Sequence, residues 1–259
     1  MSEDLHPQAD QLDDLTALEL VTLMHAEDRK AVEAVRPALE SIAGAVEAIT
    51  GRLRAGGRLH YFGAGTSGWV AAMDAAECPA TFGVAEDAVQ AHTVTDEDED
   101  DRAAGHQAAR EGGVGPADVA VGISASGRTA FVIGALEQAT ARGALTVSLT
   151  SNARSRMARG VDIAIEVETG SEVIAGSTRL KAGTVQKLVL NMLSTAVFTR
   201  LGRTRRGRMV GVVASNEKLR ERAARIVAEL SGVSLEEARE RLHAAGGDIR
   251  AVLAEVQRA

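Results

Sequence analysis

The same short grammar occurs twice along this chain: an apolar strand, a turn of glycines and hydroxyls, then a helix. The first copy is Arg58-Leu59-His60-Tyr61-Phe62, the turn Gly63-Ala64-Gly65-Thr66-Ser67-Gly68, and a helix predicted over Trp69 to Ala76. The second is Asp118-Val119-Ala120-Val121-Gly122-Ile123, the turn Ser124-Ala125-Ser126-Gly127-Arg128-Thr129, and a helix over Ala130 to Ala141. Two more strands are predicted at Ala144 to Thr150 and Asp162 to Val167, with Ser151 to Ser155 opening a short helix between them. Strands separated by helices imply a parallel sheet covered on both faces. Ligands of such sheets sit beyond the carboxyl ends of the strands, which is where both turns fall.

The turns specify the ligand class. Glycines let backbone N–H groups approach an anion, and a following helix N-terminus adds a partial positive charge. A nicotinamide cofactor is not expected, because Trp69 follows Gly68 and breaks the dinucleotide spacing, and no acidic residue closes a second strand. Hydroxyls suit a terminal phosphate, and each donor to a charged acceptor contributes roughly 1.5–3 kcal/mol. Gly65, Thr66, Ser67, Ser124, Ser126 and Thr129 are therefore the candidate phosphate cradle, with no cofactor and no metal, since no His/Cys/Asp group has ligand spacing.

Around this unit the periodicity predicts helices. Residues 1–15 read as an irregular acidic arm, and a helical pattern starts at Thr16. A second helix is predicted over Ala31 to Ala55, with Val35, Leu39, Ile42, Val46, Ile49 and Leu53 on one face. Thr184 to Thr199 is apolar nearly all round, which predicts burial in a core or between subunits. Residues 216–259 read as short helices broken by Gly232 and Gly246-Gly247, with Ser234 an N-cap and Glu237 at the capping-box position. The organisation expected is an N-terminal helical arm at 1–44, a sheet domain at 45–215 and a helical unit at 216–259.

Bulk properties exclude other classes. The 259 residues carry a formal charge of −7, without the basic footprint of a nucleic-acid binder. One cysteine, Cys78, rules out an intrachain disulfide. The polar N-terminus lacks a secretory pattern, and no apolar run reaches the ~18 residues of a membrane span. A cytoplasmic protein with no membrane partner is expected.

Several segments carry a resemblance. The two turns resemble the sugar isomerase (SIS) domain. The stretches Asp74-Ala75-Ala76-Glu77-Cys78-Pro79-Ala80-Thr81, Glu172 to Thr184 with Gly176-Ser177-Thr178-Arg179-Leu180-Lys181, Lys187 to Thr195, and Val213 to Leu219 resemble the N-acetylmuramic acid 6-phosphate etherase family, a relative of the glucokinase regulatory protein. The resemblance implies an α/β SIS-type three-layer αβα sandwich with a small UBA-like C-terminal unit, and a homodimer that completes its site between subunits. It implies a lyase that eliminates the D-lactyl ether of a phosphorylated amino sugar and adds water back. It places one catalytic carboxyl at Glu77, in the Asp-x-x-Glu-Cys-Pro pattern, and a second at Glu99, in Glu99-Asp100-Asp101-Arg102, with Glu97 a competitor. It adds Ser177 and Lys181 to the phosphosugar site, although Lys181 and Arg179 also read as ion-pair partners of Glu172. Trp69 stands where the family usually has Arg and reads either as a packing residue or as a stacking surface. A non-catalytic phosphosugar sensor and an aldose–ketose isomerase use the same cradle and remain alternatives.

Overall fold

The computed structural model describes residues 4–212 and 217–256, the side chain of Asp96 excepted. Of the segment Val213 to Leu219, residues 213–216 lie outside the described residues, as does the expected boundary between 215 and 216.

Thr16 opens α1 (Ala17–Ala34) with a full capping box: its hydroxyl accepts from the Glu19 N–H at 3.3 Å and the Glu19 carboxylate accepts from the Thr16 N–H at 2.8 Å. The single helix expected over Ala31 to Ala55 is instead interrupted. Pro37 lacks an N–H and sits in a 3₁₀ turn, Arg36–Ala38, after which α2 (Leu39–Arg54) starts afresh. Most of the apolar pattern faces the core, with Val35, Ile42, Val46 and Ile49 buried, but Leu39, the first residue after the turn, is exposed and Leu53 is half-buried.

Among the described residues five parallel strands follow: β1 (Leu59–Ala64), β2 (Val89–Val94), β3 (Val119–Ser124), β4 (Leu145–Thr150) and β5 (Ile163–Glu166). Between them come α3 (Gly65–Phe82), α4 (Arg102–Glu111) and α5 (Ala130–Ala141), and after them α6 (Lys181–Arg200). The spatial order is β2-β1-β3-β4-β5. The order therefore reverses at β1, and its crevice with β3 is the switch point at which ligands of open α/β sheets bind. Side chains alternate across the sheet. Phe62 and Ala120 pack with Val132, Leu136 and Ala109 of α4 and α5. Tyr61 points the other way and donates to Asp74 Oδ2 of α3 at 3.0 Å, while Ser194 of α6 donates to Asp74 Oδ1 at 3.1 Å. These are the three layers of an αβα sandwich.

Three local differences from the sequence reading have simple causes. Helix α3 begins inside the first turn, at Gly65, and continues through Pro79, well beyond Trp69 to Ala76. Strand β2 has no counterpart in the sequence reading, because Val89–Val94 has only Val89 buried along an edge. No helix opens at Ser151; Thr150 Oγ1 instead donates to the Asn152 carbonyl at 3.0 Å, and a 3₁₀ turn forms at Met157–Gly160.

The chain divides into two compact units, Met1–Ala76 with Val89–Val197, and Glu77–Ala88 with Phe198–Ala259. The second contains a two-stranded ribbon, β6 (Thr204–Arg205) and β7 (Arg208–Met209), and α7 (Glu217–Ser231), α8 (Leu235–Ala244) and α9 (Ile249–Val256). Its core is Ile226, Val227, Leu242, Ile249, Val252 and Leu253, and Ser234 caps α8 by accepting from the Glu237 N–H at 3.1 Å. Among the described residues no helix is long and apolar enough to cross a membrane.

Candidate functional site

A polar cavity of about 370 Å³ opens at the carboxyl ends of β1 and β3. It is lined by both turns: Gly65, Thr66 and Ser67 from the first, and Ser124, Ser126, Arg128 and Thr129 from the second. The registers explain the convergence. Gly63 pairs with Ile123, so β1 and β3 end side by side and both turns leave the same edge of the sheet. Two helix N-termini, those of α3 and α5, thus meet one cavity and favour an anion there.

Each turn is shaped by its own residues. Gly65 takes φ 51°, a left-handed conformation that costs glycine little, and this lets α3 start within the turn. Gly127 has φ 64°, and a Cβ there would lie 2.4 Å from Ser155 Cβ, so only glycine fits. Ser124 Oγ accepts from the Gly127 N–H at 3.1 Å and shares a 2.9 Å hydrogen bond with Thr129 Oγ1; Ser126 Oγ accepts from the Arg128 N–H at 3.2 Å. Ser67 Oγ accepts from Nε2 of Gln186, a buried residue of α6, at 3.0 Å. With one lone pair engaged, the Ser67 hydroxyl proton remains available to a ligand oxygen.

The acidic run is resolved residue by residue. Asp96–Asp98 form a 3₁₀ turn that holds Glu97, which is exposed. Glu99 and Asp100 line the cavity. Asp101 caps α4, accepting from the Ala104 N–H at 3.0 Å, and the Glu99 carbonyl accepts from the Phe131 N–H at 3.0 Å. The run is therefore not a plain solvated surface: its end is pinned between α4 and α5. Those two helices touch backbone to backbone, since a Cβ on Gly134 would lie 2.1 Å from the Arg102 carbonyl oxygen.

Other expected site residues fall elsewhere. Glu77 is exposed on α3, twelve positions beyond Gly65, and is not among the cavity-lining residues. Neither is Ser177, but its neighbours Gly176 and Thr178 are. Lys181 requires a correction. It does not line the cavity: its Nζ is buried 2.6 Å from Glu27 Oε2 of α1, and its backbone N–H donates to Glu172 at 3.0 Å. The alternative pairing with Glu172 holds only through the backbone.

Sequence reasoning missed Gln186, Asp100, Gly176 and Thr178. A buried glutamine in an apolar helix was the only signal for Gln186. Thr178 carried a weaker one, as a hydroxyl in a glycine-containing loop.

Comparison with known proteins agrees with this geometry. A family model for the SIS domain matches residues 26–151. The N-acetylmuramic acid 6-phosphate etherase of Thermobifida fusca (strain YX) is 48% identical over 251 residues, covering 93% of this chain and 82% of that protein. The etherase of Trichormus variabilis (strain ATCC 29413 / PCC 7937) is 45% identical over 247 residues, covering 92% and 80%. Among solved structures, a phosphoheptose isomerase from Neisseria gonorrhoeae matches with a TM-score of 0.55 at 24% identity, covering 71% of this chain and 100% of that one. A phosphoheptose isomerase from Francisella tularensis matches with a TM-score of 0.52 at 19% identity, covering 71% and 100%. The structural matches share the fold, and the identity to the curated relatives extends along nearly the whole chain: it belongs to the N-acetylmuramic acid 6-phosphate etherase family of SIS-domain proteins.

Proposed function

We propose that this chain cleaves the D-lactyl ether of N-acetylmuramic acid 6-phosphate, giving N-acetylglucosamine 6-phosphate and D-lactate. The observation that carries the proposal is one cavity in which hydroxyls, two helix N-termini and the Glu99 carboxylate converge, in a chain of this family. The phosphate sits among Ser67, Ser124, Ser126 and Thr129, with Thr66 and Gly65 framing it. In the ring-opened sugar the C2 proton is acidified by the aldehyde. A carboxylate removes it, the C3–O bond breaks, and a carboxylic acid protonates the departing lactate oxygen. Water then adds across the resulting double bond, its hydroxyl to C3 and its proton to C2.

Glu99 is one member of this acid–base pair by position. Glu77 is the second by resemblance, and its exposure on α3 suits a site assembled by two protomers. Homodimerisation is part of the proposal, and exposed Leu18, Val21 and Met192 offer apolar surface for it. The protein acts in the cytoplasm, where amino sugars released from the cell wall are recycled. The division into helical arm 1–44, SIS domain 45–215 and C-terminal unit 216–259 is part of the proposal.

The test is incubation of the purified protein with N-acetylmuramic acid 6-phosphate and measurement of D-lactate, expected in amounts equal to the N-acetylglucosamine 6-phosphate formed. Phosphosugar binding by calorimetry without lactate release would overturn the reading in favour of a sensor. Conversion of an aldose phosphate to its ketose, again without lactate, would favour an isomerase.

A further inference from the structure

The chain has a single tryptophan, and it lines the phosphate cavity. Trp69 stands one turn into α3, four residues after Gly65, and is 72% exposed. Leaving so large an aromatic surface in water forfeits the burial that normally stabilises it. A core role is excluded by that exposure, because the turn around it is built without the indole. Gly63 and Gly68 approach so closely that a Cβ on Gly68 would lie 2.8 Å from the Gly63 carbonyl oxygen, and Ser67 is held by Gln186. The other groups lining the cavity are hydroxyls, the carboxylates Glu99 and Asp100, the guanidinium-bearing Arg128, and small residues. Among the described residues, Trp69 is therefore the one large apolar face that this polar cavity presents to a ligand.

We propose that Trp69 is the specificity-determining surface for the non-phosphorylated end of the sugar, packing its ring face on the C–H groups and apolar substituents of an N-acetylated phosphosugar. The proposal rests on the phosphosugar reading of the cavity and extends it. The cradle recognises phosphate, which every sugar phosphate shares, so selection among sugars needs a second surface of different chemistry. A rigid indole with two rotatable bonds supplies that area with little ordering cost.

Two ligands separate this surface from the cradle: N-acetylglucosamine 6-phosphate and inorganic phosphate, each titrated by calorimetry against the full chain and against Trp69→Ala and Trp69→Phe. Trp69→Ala is expected to weaken the sugar phosphate by about tenfold and to leave inorganic phosphate unchanged, with Trp69→Phe retaining most of the affinity. Because Trp69 is the sole tryptophan, its emission in the unsubstituted protein reports the contact directly. The sugar phosphate is expected to shift the emission, and inorganic phosphate to shift it far less. Equal loss of both ligands, loss of neither, or emission that follows protein dilution and ignores the sugar would overturn the proposal, the last by assigning Trp69 to a subunit contact. D-lactate release plays no part in these readouts. A failed etherase assay with a sugar-specific Trp69 effect refutes only the activity, and the reverse result refutes only the role of Trp69.

Discussion

Lys181 Nζ lies 2.6 Å from Glu27 Oε2, with both side chains buried. One residue opens α6 and the other belongs to α1. The backbone N–H groups of Lys181 and Ala182 also donate to Glu172, at 3.0 and 2.9 Å. The intervening loop, which carries Gly176 and Thr178 to the cavity, is thus tied at both ends. Lys181→Met is expected to cost roughly 1–3 kcal/mol, because it leaves the buried Glu27 carboxylate with only His6 and the exposed Lys30, and a Glu27→Leu, Lys181→Met double variant is expected to recover part of it. Urea denaturation of the three proteins measures this, and equal stabilities would contradict it.

Acid should act in two stages. Burial, and then the neighbouring His92 ring, depress His60 from 6.5 to about 4. The unfolded chain binds that proton first, so stability is complete above pH 6.5 and falls as pH drops towards 4. Burial would raise the Glu27 carboxyl, but hydrogen bonds from Lys181, Lys30 and His6 prevail and hold it at about 2. Its contribution is present above its unfolded value of 4.5 and is lost as pH falls towards 2. Each is on the order of 3 kcal/mol. Thermal unfolding between about pH 7 and pH 3 should show a first decline, made smaller in His60→Gln, and then a second, made smaller in Glu27→Leu, Lys181→Met.

The α4–α5 contact should tolerate no methyl group. A Cβ on Gly134 would lie 2.1 Å from the Arg102 carbonyl oxygen, and one on Gly105 would lie 1.9 Å from that of Phe131. Gly134→Ala is expected to destabilise by about 1–3 kcal/mol or more as the helices separate. Differential scanning calorimetry should show a lowered Tm, and an unchanged Tm would mean the helices have more room than this geometry allows.

Gln186 is expected to act on ligand affinity through Ser67. Gln186→Leu frees the Ser67 hydroxyl from its partner and should raise the Kd for N-acetylglucosamine 6-phosphate by about tenfold. In Ser67→Ala the same change should add little. A double-mutant cycle by calorimetry decides it, and full additivity would show that Gln186 acts elsewhere.

Glu99 and Glu97 are two positions apart, but only Glu99 lines the cavity. Glu99→Gln is expected to lower kcat for D-lactate release by about 10²-fold or more, and Glu97→Gln to leave it nearly unchanged. The opposite ranking would move the acid–base role to Glu97.

The parallel sheet and both turns were legible because their signals are local: a run of apolar residues, then glycines and hydroxyls, then a helix start. Strand β2 was not, because an edge strand with one buried residue has almost no apolar pattern to read. The helix predicted across Pro37 shows the other limit, since a continuous apolar stripe survives a 3₁₀ interruption that places α2 afresh.

The same division runs through the site. From the residues alone came the candidate phosphate-binding groups of the two turns, since loop chemistry belongs to the loop. Pairing in space was decided by the fold. The sheet order sets β1 beside β3 and so makes two loops one cavity. Close packing of α4 on α5 brings Glu99 to its rim, and α6 delivers Gln186 to Ser67. Lys181, read as a ligand contact, instead meets a carboxylate 154 residues away, because a buried ammonium must find a counter-charge wherever the tertiary structure supplies one. A residue's chemistry can be read in sequence, but which partner satisfies that chemistry depends on long-range packing that no local pattern encodes.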